Sequence, residues 1–149
     1  MLWKELTNNP SQTEEIGKRL ATAMTKDSTL PPFVALYGDL GVGKTAFVRG
    51  FASVLSEGSA VRSPTFALVN EYRKGPRPIF HFDMYRIENE DDLYSIGFYD
   101  YLSRGICLVE WSENIPYALP DEYVRVLIEK TTEHPDHRKI TVERVERSC

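Results

Sequence analysis

Apolar positions recur at helical spacing through "SQTEEIGKRLATAM", residues 11–24, where Ile16, Leu20 and Met24 share one face. Ser11 and Glu14 form the pair that closes a helix start. "PPFVALYG" follows as a short apolar run entered through prolines and left through glycine, which predicts a buried strand. A second helical stripe, Phe47, Val48, Phe51 and Leu55, predicts a helix from near Lys44 with Gly58 as its stop. "FALVNEYRK" and "PIFHFDMYR" are β-rich runs around the turn "GPRP" and predict a hairpin. "NEDDLYSIGFYDYLS" predicts a short helix, a break at Gly97 and one more helical turn. "GICLVEW" predicts a second buried strand, and "SENIPYALPDE" a loop. "YVRVLIEK" and "RKITVERV" alternate apolar and polar residues, as antiparallel strands with one wet face do.

The expected fold is therefore α/β: a three-layer sandwich around a mixed parallel/antiparallel sheet. At 149 residues the chain has the length of one domain, 1–149, with no repeat or flexible linker. No apolar run approaches the ~18 residues of a membrane span. "MLWKELTNNPSQTEE" does not read as a signal peptide. Cys107 lies in an apolar run and Cys149 ends the chain, a usage that points away from a disulfide framework and toward a reducing, cytoplasmic setting. The formal net charge of −4 disfavours unaided binding of nucleic acid. The most basic stretch, "HRKITVERVER", interleaves acids and reads as a solvated edge strand.

"GDLGVGKT" fits the phosphate-loop pattern GxxxxGK[ST] at Gly38, Gly43, Lys44 and Thr45. Gly38, Gly41 and Gly43 permit a tight turn whose amides form an anion nest. The helix that follows adds the positive end of its dipole. Lys44 is expected to reach the β- and γ-phosphates of a nucleotide, and Thr45 to place its hydroxyl on Mg2+. Such a site needs an acid at the end of a neighbouring strand. Asp83 and Glu110 both qualify, and the pattern does not rank them; one acid can order Mg2+ while the other orients or deprotonates water. In "RSPTF", Thr65 is either a γ-phosphate sensor or simply the start of a strand. Trp111 either lies beside the nucleotide or caps the core. Arg86 faces either phosphates or a local acid such as Glu88, and His81 reads as packed on the sheet.

"GDLGVGKTAFVRG", "SPTFALVNEY", "HFDMYRI", "IGFYDYL" and "LVEW", in this order, resemble the TsaE (YjeE) family of small bacterial P-loop ATPases of tRNA threonylcarbamoyladenosine biosynthesis. The resemblance covers roughly residues 11–111, with a looser match beyond. Val42, Ala46 and Met84 depart mildly from the family's usual residues. The resemblance implies nucleotide contacts from Gly38, Asp39, Leu40, Gly41, Val42, Gly43, Lys44, Thr45 and Ala46, with Trp111 near the nucleotide. It implies metal association for Thr45, Asp83 and Glu110, and catalytic roles for Glu110, Lys44 and Thr65. It implies ATP and Mg2+ as ligands and the TsaB–TsaD pair as partner, with tRNA met only through that pair and no membrane. Hydrolysis is expected to be slow alone and faster in the complex. Three other readings share the phosphate loop: a small-molecule kinase, a GTP-dependent switch and a non-catalytic nucleotide-dependent adaptor.

Overall fold

The computed structural model describes residues 2–38, 43–65 and 67–146. In chain order the elements are β1 (Trp3–Thr7), α1 (Pro10–Lys26), β2 (Phe33–Tyr37), α2 (Lys44–Leu55), β3 (Val69–Tyr72), β4 (Ile79–Asp83), α3 (Glu90–Ser95), α4 (Phe98–Tyr101), β5 (Ile106–Glu110), β6 (Glu122–Lys130) and β7 (Arg138–Glu146). Single 3₁₀ turns at Ser112–Asn114 and Pro116–Ala118 interrupt the loop expected between β5 and β6. The sheet has seven strands in the order β1-β7-β6-β2-β5-β4-β3. β2 runs parallel to β5 on one side and to β6 on the other, and β4 runs parallel to β5. β3, β7 and β1 pair antiparallel to their neighbours, so the expected mixed sheet is what forms.

Strand alternation divides the core into two layers. Val34, Leu36, Ile79, Ile106, Leu108 and Val126 face α1 and α2, where Ile16, Leu20, Phe47 and Phe51 are buried. Phe33, Ala35, Phe80, Phe82, Cys107 and Val109 face the other way, onto Leu93, Phe98 and Ile115. β4 and β5 are buried along their whole length, which explains their nearly continuous apolar runs. Each fully buried Phe or Leu contributes ~1.5–3 kcal/mol of transfer free energy. α1 and α2 cross in backbone contact. An ideal Cβ on Gly17 would lie 2.1 Å from the Phe47 carbonyl oxygen, and one on Gly50 would lie 1.9 Å from that of Glu14.

One strand is added and three local expectations are corrected. The segment before α1 is a strand, β1, that the apolar pattern does not announce. β7 is consequently an interior strand, paired to β6 and β1, and β1 holds the edge. The segment "FALVNEYRK" pairs only over Val69–Tyr72. The helix start is not closed by Ser11 and Glu14: Asn9 Oδ1 accepts the Gln12 N–H at 2.9 Å while Gln12 Oε1 accepts the Asn8 N–H at 2.7 Å. Pro10 is at the first helical position, where its missing N–H costs nothing. Cys107 is buried and free, its thiol pushed up to about 12 by burial, while Cys149 lies outside the described residues. No helix among the described residues is long and apolar enough to cross a membrane.

Candidate active site

Two glycines with left-handed backbone frame the candidate phosphate loop. Gly38 (φ 142°) turns the chain out of β2, and Gly43 (φ 108°) precedes the first residue of α2, Lys44. Residues bearing a Cβ rarely adopt these angles. Asp39, Leu40, Gly41 and Val42 lie outside the described residues, as does Phe66.

A cavity of about 290 Å3 opens beside Gly43 and the start of α2. Its walls bring together Lys44 and Thr45 from α2, Ser63 and Thr65 from the loop before β3, Asp83 from β4, and Glu110 and Trp111 from the end of β5. The acids converge for a simple reason. Asp83 and Glu110 end adjacent parallel strands in direct register. Alternation then turns both toward the α1/α2 side, along with Ile79 and Leu108. Each is 4% exposed.

Every buried polar group here has a partner that fixes it. Asp83 Oδ1 accepts the Tyr85 N–H at 2.8 Å, and Oδ2 accepts the Thr65 hydroxyl at 3.1 Å. Thr65 in turn shares a hydrogen bond with Ser63 at 2.8 Å. Leu68, in left-handed backbone (φ 68°), donates its N–H to the Pro64 carbonyl and accepts that of Asp83 at 3.1 Å. The loop bearing Thr65 is thus tied to Asp83 twice. Glu110 Oε2 is hydrogen-bonded to Nε2 of His81, which is fully buried. Glu110 lines the cavity, and its second oxygen, Oε1, stays outside the bond to His81.

Lys44 is 5% exposed and donates from Nζ to the Gly38 carbonyl at 2.7 Å, with Nζ 4.2 Å from the centre of the Trp111 ring. Trp111 itself has left-handed backbone (φ 57°) and packs its ring 5.0 Å from that of Tyr85. The ammonium is therefore held by a carbonyl dipole and an aromatic face, beside two carboxylates. A second, smaller cavity of about 120 Å3 lies on the other side of Gly43. Ala46 lines it, with Asn9, Pro10 and Thr13 from the start of α1, Asp136 from the connection between β6 and β7, and Arg138 from the first position of β7.

Of the candidates within the described residues, Gly43, Lys44, Thr45, Thr65, Asp83, Glu110 and Trp111 share one cavity, and Ala46 sits at the adjacent one. Gly38 meets the site through the carbonyl that holds Lys44. Ser63, Asp136 and Arg138 are additions. So is the bond of His81 to Glu110, which adds a polar role to a histidine that is packed in the sheet as expected. The signal for it was present in "IFHFD", where His81 shares the sheet face of Asp83 two positions on.

The family model "Threonylcarbamoyl adenosine biosynthesis protein TsaE" matches residues 7–140. The chain belongs to the TsaE family. Its TsaE relative in Bacillus subtilis (strain 168) is 40% identical over 136 residues, covering 91% of this chain and 81% of that protein. The Haemophilus influenzae TsaE is 39% identical over 115 residues, 76% of this chain and 73% of that protein. The crystal structure of Bacillus subtilis YdiB superposes with a TM-score of 0.72 at 33% identity, over 97% of this chain and 85% of that one. Within this TsaE chain, the matched residues include every strand that supplies the cavity.

Proposed function

We propose that this TsaE-family chain is a single-domain, Mg2+-dependent P-loop ATPase that serves tRNA threonylcarbamoyladenosine biosynthesis, its hydrolysis resetting a TsaB–TsaD transferase between turnovers. One observation carries the reading: a lysine, three hydroxyls and two buried carboxylates from four separate elements line one cavity at the start of α2. This donor set fits polyphosphate and a hard cation. Magnesium takes one or two carboxylates and fills the rest of its octahedron with waters and phosphate oxygens, so it needs no all-protein cage.

In this reading Gly38 to Ala46 contact the nucleotide, and Lys44 leaves the Gly38 carbonyl for the β- and γ-phosphates. The hydroxyl of Thr45 and the carboxylate of Asp83 hold the metal, which when bound screens phosphate charge and orders the γ-phosphoryl group. Thr65, already on Asp83, follows the state of the γ-phosphate. Glu110 would be the second carboxylate available to the metal and would orient the attacking water through Oε1. The smaller cavity behind Gly43, between α1 and Arg138, is the subsite for the base. Ser63 is the exposed residue on the cavity's lining, and we take the rim at Ser63 and Thr65 as the face for the partner pair.

The test is ATP turnover measured with and without an active TsaB–TsaD pair, with Glu110→Gln and Asp83→Ala alongside. Glu110→Gln is expected to bind ATP and lose hydrolysis in the complex; Asp83→Ala is expected to weaken Mg2+-dependent binding. Unchanged turnover on adding the pair would refute the coupling, and unimpaired hydrolysis by Glu110→Gln would refute its role.

A further inference from the structure

Glu110 is a flexible side chain asked to present one oxygen to a small cavity, and three neighbouring strands cooperate to hold it. His81, on β4, is fully buried and uses both ring nitrogens: Nε2 meets Glu110 Oε2, and Nδ1 lies 2.9 Å from the Tyr72 hydroxyl. Tyr72, on β3, is itself buried, with its ring 5.9 Å from the imidazole. Its hydroxyl also lies 3.3 Å from the Arg62 carbonyl, which takes the Asn70 amide at 3.0 Å.

The bonding capacities order these contacts. An ionised carboxylate can only accept, so Nε2 carries the imidazole proton. Nδ1 is hydrogen-bonded to the Tyr72 hydroxyl, which also donates to the Arg62 carbonyl. Tyr72 therefore holds the imidazole that binds Glu110, at a point where the β3 strand meets the loop leading to Thr65.

We propose that His81 and Tyr72 are positioning residues for the hydrolysis assigned to Glu110: they fix its carboxylate so that Oε1, and not Oε2, is turned to the cavity. The inference rests on the ATPase reading and adds to it two side chains that do not reach the cavity. Hydrogen-bonded partners of this kind commonly hold a reactive carboxylate in register, and losing one costs ~10–100-fold in activity or metal affinity.

The experiment compares His81→Leu, His81→Gln and Tyr72→Phe with the unaltered protein in single-turnover ATP hydrolysis and in ATP–Mg2+ titration. His81→Leu is expected to slow hydrolysis about tenfold with ATP affinity held within about twofold. His81→Gln, whose amide can still donate to Glu110, is expected to recover most of the rate, and Tyr72→Phe to fall between. Equal rates in His81→Leu and the unaltered protein would overturn the proposal. So would affinity falling in step with rate, or Gln faring no better than Leu. Should His81→Leu fail to fold, Tyr72→Phe and His81→Gln carry the same comparison. A crystal structure of Tyr72→Phe or His81→Gln gives a readout free of turnover. A Glu110 carboxylate undisturbed in Tyr72→Phe would overturn the role of Tyr72, and one displaced in His81→Gln would overturn the rescue. An unaltered protein that binds ATP but does not hydrolyse it, with or without partners, refutes the ATPase reading instead, and the crystallographic comparison still decides the positioning.

Discussion

Replacing Gly50 by alanine sets two effects against each other, and the structure decides between them. Helix propensity favours alanine by ~1 kcal/mol in a helix interior. Against this, the new Cβ would lie 1.9 Å from the Glu14 carbonyl oxygen, about 1.1 Å short of the 3.0 Å floor that real Cβ contacts respect. The obstructing atoms are the oxygen, carbon and Cα of the Glu14 backbone, so no rotamer change relieves them. The helices must part. Overpacking costs ~1–3 kcal/mol where side chains can adjust, and a backbone clash belongs at the top of that range. The net expectation for Gly50→Ala is a loss of ~2 kcal/mol, or a fall in Tm of ~4–8 °C for a chain of this size. Urea unfolding measures it directly. Val54, 40% exposed on the same helix, supplies the reference: Val54→Ala against Val54→Gly reports the propensity term alone. Because α2 begins at Lys44, a displaced helix also carries Lys44 and Thr45 off the cavity, and ATP affinity is expected to fall with stability. A Gly50→Ala protein as stable as the parent, or more stable by the propensity term, would refute the close-crossing argument.

Leu68 holds a left-handed conformation that a β-branched side chain tolerates poorly, so Leu68→Val is expected to cost ~1–2 kcal/mol in urea unfolding while Leu68→Gly stays within ~1 kcal/mol of the parent. With Trp3 replaced by phenylalanine, emission from Trp111 is expected to change on adding ATP and Mg2+, because Lys44 leaves the indole face; Lys44→Ala should abolish the response, and an unresponsive Trp111 would place it away from the nucleotide. The Cys107 thiol, pushed up to about 12 by burial, should be about one part in 10⁴ thiolate at pH 8. In a Cys149→Ser background it should react with a disulfide reagent far more slowly folded than in urea, with the folded rate climbing as pH rises toward 12; equal rates in the two states would refute the burial.

How much of this was legible depends on whether the information is local. The parallel core was, because β2, β4 and β5 are buried on both faces and so are nearly uninterrupted apolar runs. Lys44 and Thr45 were, because spacing in one loop encodes them. Asp83 and Glu110 were found as strand ends, yet their pairing depends on the register of β4 with β5, which no local pattern carries. β1 was missed because "WKELT" is short and half charged, as suits an edge strand, and its partner β7 lies at the other end of the chain. That omission also explains why β7 was misread as an edge. Gly17 and Gly50 look like propensity defects until the crossing of α1 over α2 makes them the only residues that fit. The capping error has the same root: Ser11–Glu14 and Asn9–Gln12 both satisfy the spacing, and Pro10, which begins the helix, decides for the latter.

The two acids end adjacent strands in equivalent places, yet they are held by different parts of the molecule. Asp83 is bound through Thr65 and Leu68, both on the loop between α2 and β3. Glu110 is bound from behind, by His81 in the sheet interior. A movement of the loop therefore acts on Asp83 directly, whereas among the described residues its side-chain path to the Glu110 carboxylate runs through the Arg62–Tyr72–His81 contacts. If the partner pair engages the rim at Ser63 and Thr65, it disturbs the carboxylate assigned to the metal while the one assigned to water keeps its support. A site built this way can retain its hydrolytic geometry while its grip on the nucleotide changes, which is what the proposed coupling of ATP hydrolysis to a partner complex requires.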